Sequence, residues 1–423
     1  RFTQILTGET YNAVVGANIA GNVYGGGNEA DVTGNTFVNV CAEKSGTTYN
    51  AVAEGSKKVT IAGNVFGGGK GVADNFLCDK AMVGTNDKGL EDNYTDGNTS
   101  VIIGNGTVNR NVYGGGEVGR VEMNTTVTVG LPGTVTSSPD IKGDVFGGGM
   151  GDKEHGYAGL VRGNPTVTIQ ANTKVEHNVY GGGEIASVAR YKVPTTDEEL
   201  AAAHNGGYPE AVMGRPYALK DPNSGFCTVT VQGNAVIGPD YAMEMTKAGG
   251  PDDAGHVFGA GKGIMPENYD YASETVEHKP RCRANNDEWT WFVDIDEYIA
   301  FIQTLALSSQ TTVNIGDASD SNSKPFIKGS VYGGSENGLV QFDTNVNIIG
   351  GQIGCGKNAN GQPHPADIWG DSYEPDGTID YECASWDYGK VEGSGDNQKT
   401  IYAPYDPFAN AEGVGDIDKY PAV

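Results

Sequence analysis

The sequence predicts an all-β chain, a parallel β-helix (β-solenoid) of about seven repeats with loop excursions and two short helices. Three observations predict it. The motif V-Y-G-G-G at 23–27 returns, slightly varied, around Phe66, Tyr113, Phe146, Tyr180, Phe258 and Tyr332. The closest-set copies lie 33 and 34 residues apart, from Tyr113 to Phe146 and from Phe146 to Tyr180. A T-x-V-x-I strand pattern accompanies every copy. A fixed period of this size marks a stack of units, each burying its apolar face only against its neighbours. The 65 glycines keep no G-X-Y register, which excludes collagen and points to many tight turns.

The strand pattern occurs at Thr36–Val40, Thr99–Ile103, Thr125–Val129, Pro165–Ile169, 227–231, 311–315 and Thr344–Ile348. Alternation of β-branched apolar residues with Thr or Asn is the signal of a half-buried strand. These segments are expected to form one parallel sheet in register. A second segment leads into the aromatic, as in Ile19-Ala-Gly-Asn-Val-Tyr24 and Ile141-Lys-Gly-Asp-Val-Phe146. Period 2 puts Ile19, Gly21 and Val23 on one face and Asn22 and Tyr24 on the other. Tyr and Phe alternate without exception through the seven copies, and stacking turns would bring the rings to roughly 4.8 Å. Two readings of this column stay open: a structural ladder, or an exposed strip that stacks on sugar rings. The glycine triplet is expected to serve backbone needs, positive φ or close approach of another strand. No G-K-[ST] follows it, which argues against a nucleotide site.

The residue after the triplet is Asn28, Lys70, Glu117, Met150, Glu184, Lys262 and Glu336 in turn. Glu occurs only in Tyr copies and Lys only in Phe copies, so the expectation is a ladder of alternating charge on an exposed corner. Its catalytic alternative places two Glu two turns apart, about 9–10 Å, near the separation of inverting glycosidases.

Excursions are expected at 71–98, 151–164, 191–226 and 263–310, all leaving one corner and gathering along one side. Helices are expected at 195–203, from a Thr-x-x-Glu capping box, and at 294–305, with Ile295, Tyr298, Ile299 and Ile302 on one stripe. Trp289, Trp291 and Phe292 read as the anchor of that subdomain. The repeats span 1–354, and the acidic, aromatic-rich segment 355–423 is a non-repeat tail or cap. A repeat-like region so near residue 1 suggests a piece of something longer.

The formal net charge of −26 excludes a nucleic-acid surface and disfavours an anionic membrane, and no apolar run approaches a membrane span. There is no G-x-S-x-G, no H-E-x-x-H and no Cys–His pairing at a suggestive spacing. The six histidines are scattered, and His177 and His256 read as exposed turn residues. No organic cofactor is indicated. Calcium is the one candidate ion, through Asp92, Asp96, Asp317 and Asp320, although solvated turns account for the same residues. Cys41 with Cys78, and Cys355 with Cys383, are candidate disulfides. The candidate ligand platforms are Trp289, Trp291, Tyr298, Trp369 and Trp386.

V-[YF]-G-G-G units alternating with T-x-V-x-I strands resemble the repeat arrays of very long bacterial surface proteins of gut Bacteroidetes. They resemble more loosely the repeats of chlamydial-type polymorphic outer-membrane proteins. The resemblance covers about residues 17–354 and implies a parallel β-helix at the bacterial cell surface or secreted, serving as stalk, adhesin or filament. It supplies no catalytic residues. The expected function is structural or adhesive, with one-sided loops that bind a glycan or a surface protein, and with end-to-end self-assembly as a further expectation. The alternative is a polysaccharide lyase or glycoside hydrolase on the same scaffold. Thr128, Thr168, Thr230, Asn314 and Asn347 stand at the outward strand positions where an enzyme would gather charge, which favours the first.

Overall fold

The computed structural model describes residues 3–6, 9–14, 16–53, 59–84, 95–133, 135–192, 219–239, 254–266, 279–283, 287–292, 295–353, 389–392 and 399–402. The described residues are nearly all β, with one helix, Ile295–Ile302. Three ladders follow chain order. The first runs through Glu9–Val14, Thr36–Val40, Thr99–Ile103, Thr125–Val129, Pro165–Ile169, Phe226–Val231, Gln310–Ile315 and Thr344–Ile348, all parallel. The second stacks two-residue strands from Asn18–Ile19 to Gln352–Ile353, and the third stacks those from Val23–Tyr24 to Val331–Tyr332. Val127 pairs with Val167 in one sheet, the in-register arrangement that the repeat spacing predicts. A line of single bridges, Val32–Val83–Val121–Val161–Val188 and Ser308–Val340, marks a fourth side. Parallel stacks in this order are consistent with a solenoid.

The pattern explains the faces. Positions 1, 3 and 5 of each T-x-V-x-I strand turn inward, and Val38, Val101, Val127, Val167, Val229 and Val313 are fully buried. They merge with Ile61, Val65 and their counterparts from the second and third sheets into one aliphatic core. The inward threonine closes the coil. The Oγ1 hydroxyls of Thr36, Thr99, Thr125 and Thr311 donate to the carbonyls of Gly67, Gly114, Gly147 and Gly333. That carbonyl also explains the first glycine of each triplet. A Cβ on Gly147 would lie 2.2 Å from the Gly181 carbonyl oxygen of the next turn. The requirement is therefore close approach, since no triplet glycine has positive φ.

Several expectations are corrected. Glu9–Val14 is a further strand of the first sheet, paired Thr10 to Thr36, and Thr3–Leu6 runs antiparallel along its outer edge. Val83, Val161 and Ser308 lie inside the expected excursions 71–98, 151–164 and 263–310, so the chain returns to the coil partway through each. In the helix, Ile295 is exposed and Phe301 is buried with Tyr298 and Ile302. Cys41 and Cys78 are both buried and form no disulfide with each other. The expected helix at 195–203, Cys355 and Cys383 lie outside the described residues.

Candidate functional site: the tyrosine–glutamate column and the excursion seam

The seven aromatics form a single column. Successive ring centroids, from Tyr24 through Phe66, Tyr113, Phe146, Tyr180 and Phe258 to Tyr332, are 4.7–5.0 Å apart and the planes lie within 9°. The interior rings are buried, in a cluster separate from the aliphatic core, and Tyr24 and Tyr332 at the two ends are more open. Rings covered in this way offer no face to a sugar, so the structural ladder is the reading that the geometry supports.

The alternation of two residue pairs has one cause. The Tyr24 hydroxyl donates to Glu117, Tyr113 to Glu184, and Tyr180 to Glu336. Each glutamate thus reaches back past an intervening Phe turn to the phenol of the preceding Tyr turn. Two positions before the tyrosine, Asn22, Asn111 and Asn178 donate from Nδ2 to the same hydroxyl. Those asparagines belong to a ladder. The Oδ1 atoms of Asn22, Asn64, Asn111, Asp144 and Asn178 accept the backbone N–H of Asn64, Asn111, Asp144, Asn178 and His256 in turn. The charge positions are accordingly more sheltered than an exposed corner: Glu117, Met150, Glu184 and Lys262 are half-buried, while Asn28, Lys70 and Glu336 are exposed.

Asp144 is the point at which the ladder becomes ionic. It is 4 % exposed, and it pairs with His177 Nδ1 and, at 3.5 Å, with Lys262 Nζ. Burial alone would raise the Asp144 carboxyl, but the His177 hydrogen bond and the charges of His177 and Lys262 outweigh it and hold the carboxyl low. Burial opposes the charge on His177, yet Asp144 overrides it and raises the imidazole. Lys262 is raised against burial by Asp144, Glu336 and Glu184. Glu184 is pushed up by burial, against the Tyr113 hydrogen bond and Lys262. Phenols are held neutral: burial, with Glu117 beside it, lifts Tyr24 to about 12, and Tyr113 and Tyr180 go higher still. His177 is therefore an ion-pair residue and not an exposed turn residue. Its partner Asp144 stands at an Asn position of the repeat, which was the signal available in the sequence. Each carboxylate of this group is matched to a specific donor. The glutamates that the glycosidase reading needs are occupied by phenols.

The other assembly is the seam where the excursions meet. Tyr157, Leu160, Ala189, Tyr191 and Leu307 are buried together, with Phe76, Leu77 and Leu219 packed against them. These residues come from all four excursion regions or their roots, so the loops share one apolar contact. Polar links join them as well. The Phe76 N–H donates to Asp287 Oδ1 at 2.8 Å, the Arg283 N–H to the Glu154 carbonyl at 2.7 Å, and Arg281 Nε to Glu154 Oε1 at 3.1 Å. Beneath them Arg120, Glu122 and Arg162 are buried beside the bridging valines. Glu122 accepts from Arg162 and lies 3.5 Å from Arg120, which donates to the Leu77 carbonyl. Arg120, Glu122 and Arg162, flanking the bridging Val121 and Val161, were the sequence trace of this anchor.

The candidate platforms divide. Strands Arg281–Arg283 and Trp289–Trp291 pair antiparallel, leaving Trp289 and Trp291 half-buried. Trp289 has the Arg281 guanidinium 3.8 Å from its ring centroid, Arg283 at 5.0 Å, and His155 edge-on at 5.4 Å. His155 Nδ1 bonds Asp152 at 2.8 Å, and its buried Nε2 has no partner among the described residues. This cluster of Arg, Trp and His is the most chemically varied part of the seam. Tyr298 is 4 % exposed against Phe292 and belongs to the subdomain core, so it is no platform. Trp369 and Trp386 lie outside the described residues.

Of the calcium candidates, Asp96 Oδ1 accepts from Asn35, Asp317 caps Ser319, and Asp320 caps the Asn322 amide. Asp92 lies outside the described residues. Among the described residues no three His, Cys, Asp or Glu side chains group to hold a metal. No described helix is long and apolar enough to cross a membrane. Comparison with known proteins gives the arrangement no precedent to lean on: no family model, no curated protein and no solved structure matches this chain.

Proposed function

We propose that this chain is a β-solenoid scaffold of a bacterial surface or secreted protein, structural or adhesive in role, and that its joined excursions recognise a glycan or a surface protein. One observation carries the reading: loops from four separate turns share a single buried seam. A scaffold needs no such joining for its own stability, because turn-to-turn contacts supply that. Loops held on a rigid frame are where recognition sits. Arg281 stacks on Trp289 and bonds Glu154, so the half-buried cluster offers a preorganised guanidinium–indole edge suited to polar, planar ligands. The resemblance of the repeats to surface arrays favours an exterior setting.

The test is a glycan and surface-protein array probed with the purified chain, with turnover of polysaccharides measured in parallel. Binding that falls at least tenfold in Trp289→Ala or Arg281→Ser, and survives in Glu184→Gln, is the expected result. Turnover that disappears in Asp144→Asn would instead establish the hydrolase or lyase alternative.

A further inference from the structure

The last turn ends in an open apolar face. Val313 and Ile315 are fully buried, whereas Val346 and Ile348, their partners one turn on, are 41 % and 61 % exposed. Phe342, Ile349, Ile353 and Tyr332 are exposed around them. Among the described residues nothing pairs with the outer side of the edge strand Thr344–Ile348, and the strands Gly389–Glu392 and Lys399–Tyr402 form a two-stranded sheet of their own. The Thr311 N–H donates to the Asp343 carbonyl of the next turn at 3.1 Å. By the alternation of a parallel ladder, Thr344, Val346 and Ile348 aim their N–H groups away from the coil. Thr-Asn-Val-Asn-Ile carries no charge or proline to blunt that edge.

We propose that the chain's own C-terminal hairpin, Gly389–Glu392 with Lys399–Tyr402, docks on this face and caps the coil. Four observations choose this occupant. At the opposite end the first sheet is covered by the same device, the antiparallel pair Thr3–Leu6 and Glu9–Val14. The C-terminal pair is likewise antiparallel, with four residues in each strand. The chain leaves the face at Ile353, and the 35 residues 354–388 precede the hairpin, a reach of roughly 100 Å or more when extended. The two strands carry Lys390 and Lys399 against one glutamate, in a tail that is otherwise acidic, while Asp343 and Glu336 are exposed at the face. A second copy is the poorer occupant. Stacking in chain direction meets the Thr3–Leu6 strand, and two facing copies bring Asp343 and Glu336 toward their own duplicates.

Residue-resolved amide exchange on the full chain tests this without reference to any ligand. In the monomer, Val346 and Ile348 should exchange on the order of tenfold or more slowly than an open edge allows, the worth of about one hydrogen bond. A chain ending at Tyr388 should lose that protection, and so should full-length Ile401→Asp, which keeps the proposal testable if the shortened chain fails to fold. Fast exchange at both amides in the full chain overturns the cap. So does protection that survives Ile401→Asp, and so does protection that appears only as protein concentration rises, which would identify a second copy.

Discussion

Removing the Tyr113 hydroxyl probes the two-turn bond that gives the coil its period. In Tyr113→Phe the ring column is kept, with Phe66 and Phe146 still stacked on either side, while Glu184 loses its phenol donor. A hydrogen bond to a charged group is worth about 1.5–3 kcal/mol. Glu184 is half-buried, so water replaces part of the bond, and the expected loss is about 1–2 kcal/mol. The assay is urea unfolding of Tyr113→Phe, Glu184→Gln and the double variant, read as a cycle. The coupling should be about 1 kcal/mol. A pH series adds a second signature. Burial and Glu184 raise the Tyr113 phenol well above its ordinary value of 10.0. A raised phenol contributes stability that is intact below about pH 10 and is lost as pH rises, because only the unfolded chain ionises. Tyr113→Phe should therefore blunt alkaline unfolding above about pH 10. A coupling indistinguishable from zero, with an unchanged alkaline limb, would refute the bond as the source of the Tyr/Phe and Glu/Lys alternation.

Three further outcomes are expected. Lys262→Glu removes the cation between Asp144, Glu184 and Glu336 and should cost about 2–3 kcal/mol by urea unfolding, relieved only in part by salt; a loss under 1 kcal/mol that salt abolishes would place the lysine in open water. Gly147→Ala sets a Cβ 2.2 Å from the Gly181 carbonyl and should cost more than about 3 kcal/mol, which thermal unfolding would detect, whereas Gly21→Ala, with nothing within 4 Å, should be nearly neutral. The Asp144–His177 pair stabilises most between the lowered Asp144 pKa and the raised His177 pKa. Its stability is lost as pH falls through the first or rises through the second, so His177→Gln should flatten the decline in stability above about pH 6.5, a pH–stability profile that would stay unchanged if the pair were inert.

The parallel strand stack was readable because its cause is local and repeated. Val127 and Val167 align by spacing alone, and the buried Thr125 and Pro165 two places ahead of them share the inward face. Glu9–Val14 escaped because Asn12 stands where the other strands carry Val or Ile, and a single substitution at the central position hides a strand that pairing then supplies. Alternation of Glu117, Glu184 and Glu336 with Lys was visible, but its reason was not. Sequence order suggests a neighbour one turn away, whereas the phenol partner is two turns back. The seam was the least legible part. Phe76, Tyr157 and Leu307 lie in unrelated loops, and nothing in local periodicity brings them together. Tyr298 looked like a platform because aromatic residues of a core and of a binding face have the same composition.

Footprinting of the bound complex tests the central claim most directly. Hydroxyl-radical labelling of the full chain, with and without its array-identified ligand, should show protection at Trp289, Arg281 and Phe76, together on the excursion side. Protection along Thr128, Thr168 and Thr230 of the outward strand face, with the excursions still labelled, would contradict it.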